Sequence, residues 1–553
     1  MFRRYLSRFE FDSYEDFKEN YQVNVPENFN YAFDVVDAIA SETPEKTAMV
    51  WCNEAGDSAT FTFRQMQQYS NKAANFFKSV GIAKGDRVML ILKRRYQYWF
   101  CLLGLHKLGA VCIPATHLMS AKDIAYRDNA AEIKMIVCVA DQELISAVEE
   151  AQKSSPSLVK KALVGGGRAG WYDYDEEASK ASDEFTRPTG KDAISNDDGL
   201  LIYFTSGTTG LPKMVQHSYA YPLGHILTAK YWHDLHDGDL HLTVADTGWA
   251  KTAWGKIYGQ WLCGAAVFVY DYDKFMPKSM LRVMSQFGVT SFCAPPTIYR
   301  YLMKDLKRFD LSKLRHACVA GEPLNPEMYK RFYELTGLKL MEAYGQTELT
   351  VTIATFPWIE PKPGSMGKPS AGYDIDLLDE NGEPCQEGQV GQIVVRTGVQ
   401  KPVGLFDRYY RDEALTQKVF HDDIYYTGDL AWRDEDGYYW FVSRSDDIIK
   451  SAGYRIGPFE VESSLLEHPA VLECAITSVP DPERSQIVKA TVVLAKGYLP
   501  SESLKKELQE HMKRVTAAYK CPKIIEFVSS LPKTISGKIR RVEIREGEAL
   551  KAK

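Results

Sequence analysis

Nowhere in the 553 residues do two cysteines stand as Cys-x-x-Cys, although ten cysteines are present. That spacing is what a zinc knot or a redox pair would require. Cys112, Cys138, Cys318 and Cys474 instead lie in apolar runs, where they read as small core residues. The apolar runs are short, and none approaches the roughly 20 residues of a membrane-spanning helix. Behind the basic residues of MFRRYLSRFEFDSYEDF there is no apolar stretch, which argues against a secretory signal. No block of like charge stands out against a net charge of −6, so neither nucleic acid nor an anionic membrane is expected as a bulk partner. Internal repeats and low-complexity tracts are also missing. What is there is 45% hydrophobic and 25% charged. The expectation is a soluble cytoplasmic protein of about three or four domains.

Periodicity places an α/β fold along the chain. Met66, Tyr69, Ala73, Phe76 and Val80 recur at helical spacing before Gly81. Strands are predicted at 87–92, 111–114, 135–140 and 161–164 with helices between them, the alternation of a parallel sheet. Gly165–Gly167 and the polar stretch 172–197 read as surface loop. A second α/β series runs from 199 to about 344, and from about 366 to 441 short strands and turns predict a β-rich subdomain. After Arg444 a small α+β unit follows, with a helix carrying Leu504, Leu508 and Met512.

The stretch on which this organisation centres is YFTSGTTGLPKMV, residues 203–215. An apolar run ends in Thr205, Ser206, Gly207, Thr208, Thr209 and Gly210, with Lys213 just beyond. Hydroxyls and glycines let backbone N–H groups close around a polyphosphate. It is not a Walker loop, because Leu211 and Pro212 separate Gly210 from the lysine. Taken alone, such a loop is more simply a polar turn. Five further stretches carry groups that packing does not demand: AGEPLN (320–325), MEAYGQTE (341–348), YYTGDLAW (425–432), SRSDDIIKSAGYRIGP (443–458) and LPKTISGKIRR (531–541). Each singly has a plain explanation as a strand-end loop, a turn cap or a solvated tail.

Together, in order and spacing, the six stretches resemble the ANL superfamily of adenylate-forming enzymes over nearly the whole chain. ADTGWAKTAWGKIYGQW (245–261) is most similar to the medium-chain acyl-CoA synthetases. The resemblance implies a large N-terminal domain, 1–445, of two α/β subdomains plus a β-rich subdomain. A small mobile α+β C-terminal domain, 446–553, would follow. It also implies two half-reactions. A carboxylate attacks the α-phosphate of MgATP to give acyl-AMP and pyrophosphate, and the thiol of CoA then displaces AMP. Both first-step reactants are anions, so cations and N–H donors matter more than a base.

The same resemblance assigns roles. Thr205–Gly210 and Lys213 would hold the β- and γ-phosphates, and Glu348 with Thr347 would bind Mg²⁺, a cation that prefers oxygen. Tyr344 would stack on adenine, flanked by Gly321, Glu322, Pro323 and Glu342. Asp429 would accept from the ribose hydroxyls, and Arg444 would steady the ribose and phosphate side. Lys538 would bridge the carboxylate and α-phosphate oxygens during adenylation, and the family suggests it as the target of a protein acetyltransferase. A hinge at Asp446 would exchange Lys538 for the loop 451–457, where Gly453 lines a pantetheine tunnel and Arg455 and Arg484 meet CoA phosphates. A thiol of pKa near 8.5 needs no protein base.

For the acid, Gly345 occupies the position where acetyl-specific relatives carry tryptophan, so glycine would leave room for a medium or branched chain, unless it serves only a tight turn. Trp249 and Thr252 are candidates for the same pocket. The alternative is an aryl or amino-acid adenylating enzyme that loads a carrier-protein thiol; no carrier module follows Lys538 in the sequence, which favours CoA.

Overall fold

The computed structural model describes every residue except 206–210, 453, 534–538 and 552–553. Two parallel-rich sheets form the larger part. In the nine-stranded sheet, strands Leu340–Tyr344, His316–Ala320, Ser291–Ala294, Leu240–Thr243, Ala266–Asp271 and Thr47–Asn53 run parallel in that spatial order. The eight-stranded sheet centres on Val111–Pro114, Arg87–Ile91 and Met135–Val139. Gly199–Thr205 is parallel to Val111–Pro114 and turns back as the antiparallel strand Lys213–Ser218, which in turn pairs with Arg408–Tyr409.

The two sequence series therefore do not map one to one onto sheets. Thr47–Asn53 crosses to the sheet of the later series, and Gly199–Thr205 joins that of the earlier one. Apolar period identifies a strand, but the partner is set by long-range packing. The expected surface loop 172–197 also holds structure. Tyr172–Asp173 pairs with Lys160–Val164, and helix Tyr174–Lys180 follows, with the Asp173 side chain accepting from the Glu176 N–H. Its acidic cap hid a helix whose one buried residue is Tyr174.

A five-stranded antiparallel sheet holds Asp374–Leu378, Gly391–Arg396, Ile424–Arg433 and Tyr439–Arg444. Beyond it a second five-stranded sheet carries helices Pro458–Leu466 and Glu502–Val515. Among the described residues the buried members of its apolar core lie between Ile449 and Ile525, with Phe527 packed against them. No helix among the described residues is long and apolar enough to cross a membrane, and all ten cysteines are buried and unpaired.

Candidate active site

Strand Gly199–Thr205 and its return strand bring Thr205 opposite Lys213. Ser206, Gly207, Thr208, Thr209 and Gly210, which close that hairpin, lie outside the described residues. Because Arg408–Tyr409 is the next strand, the Lys213 ammonium lies 5.3 Å from the centre of the Tyr409 ring. The Tyr409 hydroxyl donates to Glu348 Oε1 at 2.8 Å. The backbone on both sides of that carboxylate is pinned: His217 Nε2 donates to the Thr347 carbonyl at 2.8 Å, and the Phe406 N–H donates to the Glu348 carbonyl at 2.8 Å. Burial drives the His217 pKa down to about 3, so the ring is a neutral fixed donor. Among the described residues no cluster of three or more His, Cys, Asp or Glu is poised for a metal. The Glu348 carboxylate, tied through Tyr409 to the strand of Lys213, is a donor of the kind Mg²⁺ takes alongside water and phosphate oxygens.

A second group converges on Asp429, which is buried at the middle of strand Ile424–Arg433. Its Oδ2 accepts from the Tyr344 hydroxyl at 2.7 Å and from Gln346 Nε2 at 2.5 Å. Its Oδ1 faces Arg444 Nη1 at 3.2 Å across the β-ladder. Tyr425 holds Gln346 through a 2.8 Å bond to Oε1. Gly428, at φ +73°, lets Arg444 lie close, since a Cβ there would stand 3.2 Å from Nη2. An ionised carboxylate offers about four acceptor positions. Three are taken here, so two further donors could be received only if one protein donor yields. Arg444 is the one that borders Asp446, with Nε 3.8 Å from its Oδ1.

Glu342, one turn of the pleat before Tyr344, accepts from the Leu324 N–H at 3.0 Å and so draws the segment Gly321–Pro323 toward the strand end. Gly321 takes φ +101°, a left-handed angle that suits glycine. Glu322 accepts from the Thr297 hydroxyl at 2.9 Å. Burial raises the Glu342 pKa from 4.5 to about 8, against the lowering by the Leu324 N–H. A carboxyl shifted upward keeps its proton longer in the folded state. Its stabilisation is complete below about pH 4.5 and disappears as pH climbs toward 8, at about 1.4 kcal/mol per pH unit. Melting temperature is therefore expected to fall between about pH 6 and pH 8 by less in Glu342→Gln than in the parent protein; equal pH slopes would show that Glu342 is ionised throughout.

Around the expected acyl pocket the structure is tighter than the sequence implied. A Cβ on Gly345 would lie 2.3 Å from Trp254 Cη2 and 2.4 Å from the Thr350 carbonyl oxygen. The space that glycine frees is filled by the Trp254 indole, itself packed edge-on to Trp232. The Thr252 hydroxyl closes its own turn on the Asp246 carbonyl at 2.7 Å, while Trp249 is half-buried beside it.

On the C-terminal side, Asp446 separates strands Tyr439–Arg444 and Ile449–Ser451. Arg455 pairs with Glu380 of the β-rich subdomain, a partner other than the CoA phosphate expected for it. Arg484 is exposed, and its carbonyl accepts from the Ala452 N–H at 2.9 Å. Gly453 and Lys538 lie outside the described residues. Sequence reasoning missed Gln346, Tyr409, Tyr425 and His217. Gln346 and Tyr425 stood inside quoted motifs; nothing in the sequence marks Tyr409 or His217.

Comparison with known proteins agrees with this arrangement. A family model described as AMP-binding enzyme matches residues 36–410, and one described as AMP-binding enzyme C-terminal domain matches 460–538. The chain is 40% identical over 549 residues to mouse acyl-coenzyme A synthetase ACSM3, mitochondrial, covering 97% of this chain and 94% of that protein. It is 43% identical over 531 residues to 4-hydroxybutyrate–CoA ligase 1 of Metallosphaera sedula, covering 95% and 92%. The crystal structure of the anthranilate CoA ligase AuaEII with anthranoyl-AMP superposes with a TM-score of 0.87 at 29% identity, covering 96% of this chain and 99% of that one.

One expectation is overturned. The cytoplasmic assignment does not stand against relatives named mitochondrial. It rested on composition and on the lack of a secretory signal, neither of which carries an address within the cell. The chain belongs to the AMP-binding, adenylate-forming (ANL) family and within it is an AMP-forming acyl-CoA synthetase that uses ATP, Mg²⁺ and CoA.

Proposed function

We propose that the enzyme activates a medium-chain or branched carboxylic acid, with the residues around Asp429 holding the nucleotide for both half-reactions. In the first, one acid oxygen attacks the α-phosphorus and pyrophosphate leaves with the electron pair of the broken P–O bond. In the second, the CoA sulfur attacks the acyl carbon, AMP leaves, and the thiol proton is lost to solvent. The acyl phosphate is needed because a free carboxylate is a poor electrophile.

Lys213, with the turn 205–210, neutralises the β- and γ-phosphates. Glu348 and Thr347 would hold Mg²⁺, which would add further charge neutralisation. Tyr344 stacks on adenine, with Gly321, Glu322, Pro323 and Glu342 along its edge. Asp429 accepts from the ribose, and Arg444 reaches the phosphate side. Lys538 belongs to the first half-reaction alone, and an acetyl group on it would remove the cation that step needs. Asp446 is the pivot between 1–445 and 446–553. Gly453, Arg455 and Arg484 serve CoA after rotation, Arg455 by exchanging Glu380 for a CoA phosphate.

The observation that carries this reading is the convergence of Tyr344, Gln346 and Arg444 on one buried carboxylate beside the pivot. The test is ATP- and CoA-dependent AMP formation with straight-chain, branched, aryl and 4-hydroxy acids. A profile peaking on an aryl acid would refute the medium-chain assignment.

Trp254 sets the length of acid accepted. Trp254→Ala removes the ring that fills the space beside Gly345. Because each methylene is worth about 1–3 kcal/mol in a pocket, preference is expected to move by roughly tenfold or more toward longer acids. An unchanged chain-length profile would remove Trp254 and Gly345 from the pocket.

A further inference from the structure

The residue after the pivot makes a contact that the mechanism above leaves unused. Asp447 is buried, its side chain 7% exposed, and its Oδ1 accepts from Arg545 Nη1 at 2.8 Å. Its Oδ2 lies 3.5 Å from Arg541 Nη1. Arg541 also forks onto Glu462, Nη2 lying 2.7 and 2.9 Å from its two oxygens. Glu462 Oε1 accepts in addition from the Ile476 N–H at 2.9 Å. Two guanidinium groups and two carboxylates thus balance in charge.

Both arginines stand on helix Arg541–Lys551, which begins three residues after Lys538. The other side of that stretch is tied as well. Lys533 bridges to Ile539 in the backbone, and its ammonium lies 2.8 Å from both oxygens of Glu473. Leu531 and Ile544 share an apolar contact cluster with Ala475. By chain, Asp447 and Arg545 are 98 residues apart, yet the contact between them is direct.

We propose that Asp447 is a positioning residue for adenylation: with Arg541 and Arg545 it couples rotation at Asp446 to the helix behind Lys538, so that the lysine arrives in one fixed place. This rests on the roles given above to Lys538 and Asp446. A network that only stabilised the small domain would, when broken, lower both half-reactions alike through the folded fraction. A positioning network affects the half-reaction that needs Lys538 and spares the other. Asn at 447 keeps the shape while removing the charge, and Arg545, at the outer edge with its side chain 28% exposed, can then turn to water.

The experiment measures acid-dependent pyrophosphate release and conversion of supplied acyl-AMP to acyl-CoA in the full-length enzyme, with thermal melting alongside. Asp447→Asn and Arg545→Ala are each expected to lower the first by roughly tenfold and the second by less than about twofold, with Arg545→Lys recovering part of the loss. Equal losses in both assays, or none in either, would overturn the proposal. If Asp447→Asn does not fold, Arg545→Ala decides alone. Lys538→Ala runs in parallel. Should it leave pyrophosphate release intact, the assignment of Lys538 fails and takes this inference with it. Should it abolish release while Asp447→Asn and Arg545→Ala are silent, only the coupling is wrong.

Discussion

Asp429→Ala is expected to lower kcat/KM for ATP by about 10²–10³-fold, mostly through KM, and to lower the melting temperature as well. The first effect comes from the ribose. A hydrogen bond to an ionised group contributes about 1.5–3 kcal/mol, and two hydroxyls are to be held. The second comes from the protein. The Tyr344 hydroxyl, the Gln346 amide and the Arg444 guanidinium all point at the carboxylate; the Tyr344 hydroxyl loses its acceptor, while Gln346 Nε2 keeps the Thr427 carbonyl at 2.9 Å and Arg444 keeps Asp446 at 3.8 Å. An unsatisfied buried donor costs about 1–3 kcal/mol. The isosteric Asp429→Asn separates the two effects, because its one oxygen can still accept from Tyr344 and Gln346 but is then left with no acceptor position for the ribose. Steady-state kinetics with ATP varied, and a melting curve, read both. A kcat/KM for ATP within about threefold of the parent in the alanine variant, less than the weight of one such bond, would show that the ribose is held elsewhere.

How far the site could be read from the sequence depends on the range of the contacts. Asp429 and Arg444 face each other across adjacent strands, so a short hairpin fixes their proximity. Tyr344 and Asp429 are 85 residues apart, and no spacing rule links them; only the family resemblance did. The strands of the parallel sheets announced themselves through apolar runs, yet the crossing of Thr47–Asn53 into the other sheet did not. Helix Phe63–Ser79 shows the limit of periodicity. Met66, Ala73 and Phe76 are buried as their spacing required, while Tyr69 on the same predicted face is 38% exposed and stacks on Phe100. Gly345 is the sharpest case. Its lack of a side chain was legible, but what fills the vacated space is a tryptophan 91 positions earlier in the chain.

Lys538→Ala is expected to abolish acid-dependent pyrophosphate release to within detection, by at least 10²–10³-fold, while conversion of supplied acyl-AMP to acyl-CoA stays largely intact. As the acid oxygen closes on the α-phosphate, two anions meet, and charge moves from the carboxylate to the departing pyrophosphate. A cation placed between them is worth most at that moment. Loss of one preorganised charge-stabilising donor costs on the order of 10²–10³ in kcat. Lys213 is not expected to compensate: strands Gly199–Thr205 and Arg408–Tyr409 flank its strand on both sides, which holds it to the place proposed for the β- and γ-phosphates. In thiol capture the thiolate attacks an uncharged acyl carbon instead of an anionic phosphate, and its charge passes to the phosphate of the departing AMP, on the side assigned to Arg444 and not to Lys538. The half-reactions are therefore expected to separate by two orders of magnitude or more. Lys538→Arg tests whether charge alone suffices: the wider, planar guanidinium is expected to recover little, since it cannot act as a compact point charge. Equal loss of both half-reactions in Lys538→Ala would mean that the lysine supports the fold of the small domain and that the cation for adenylation comes from another residue.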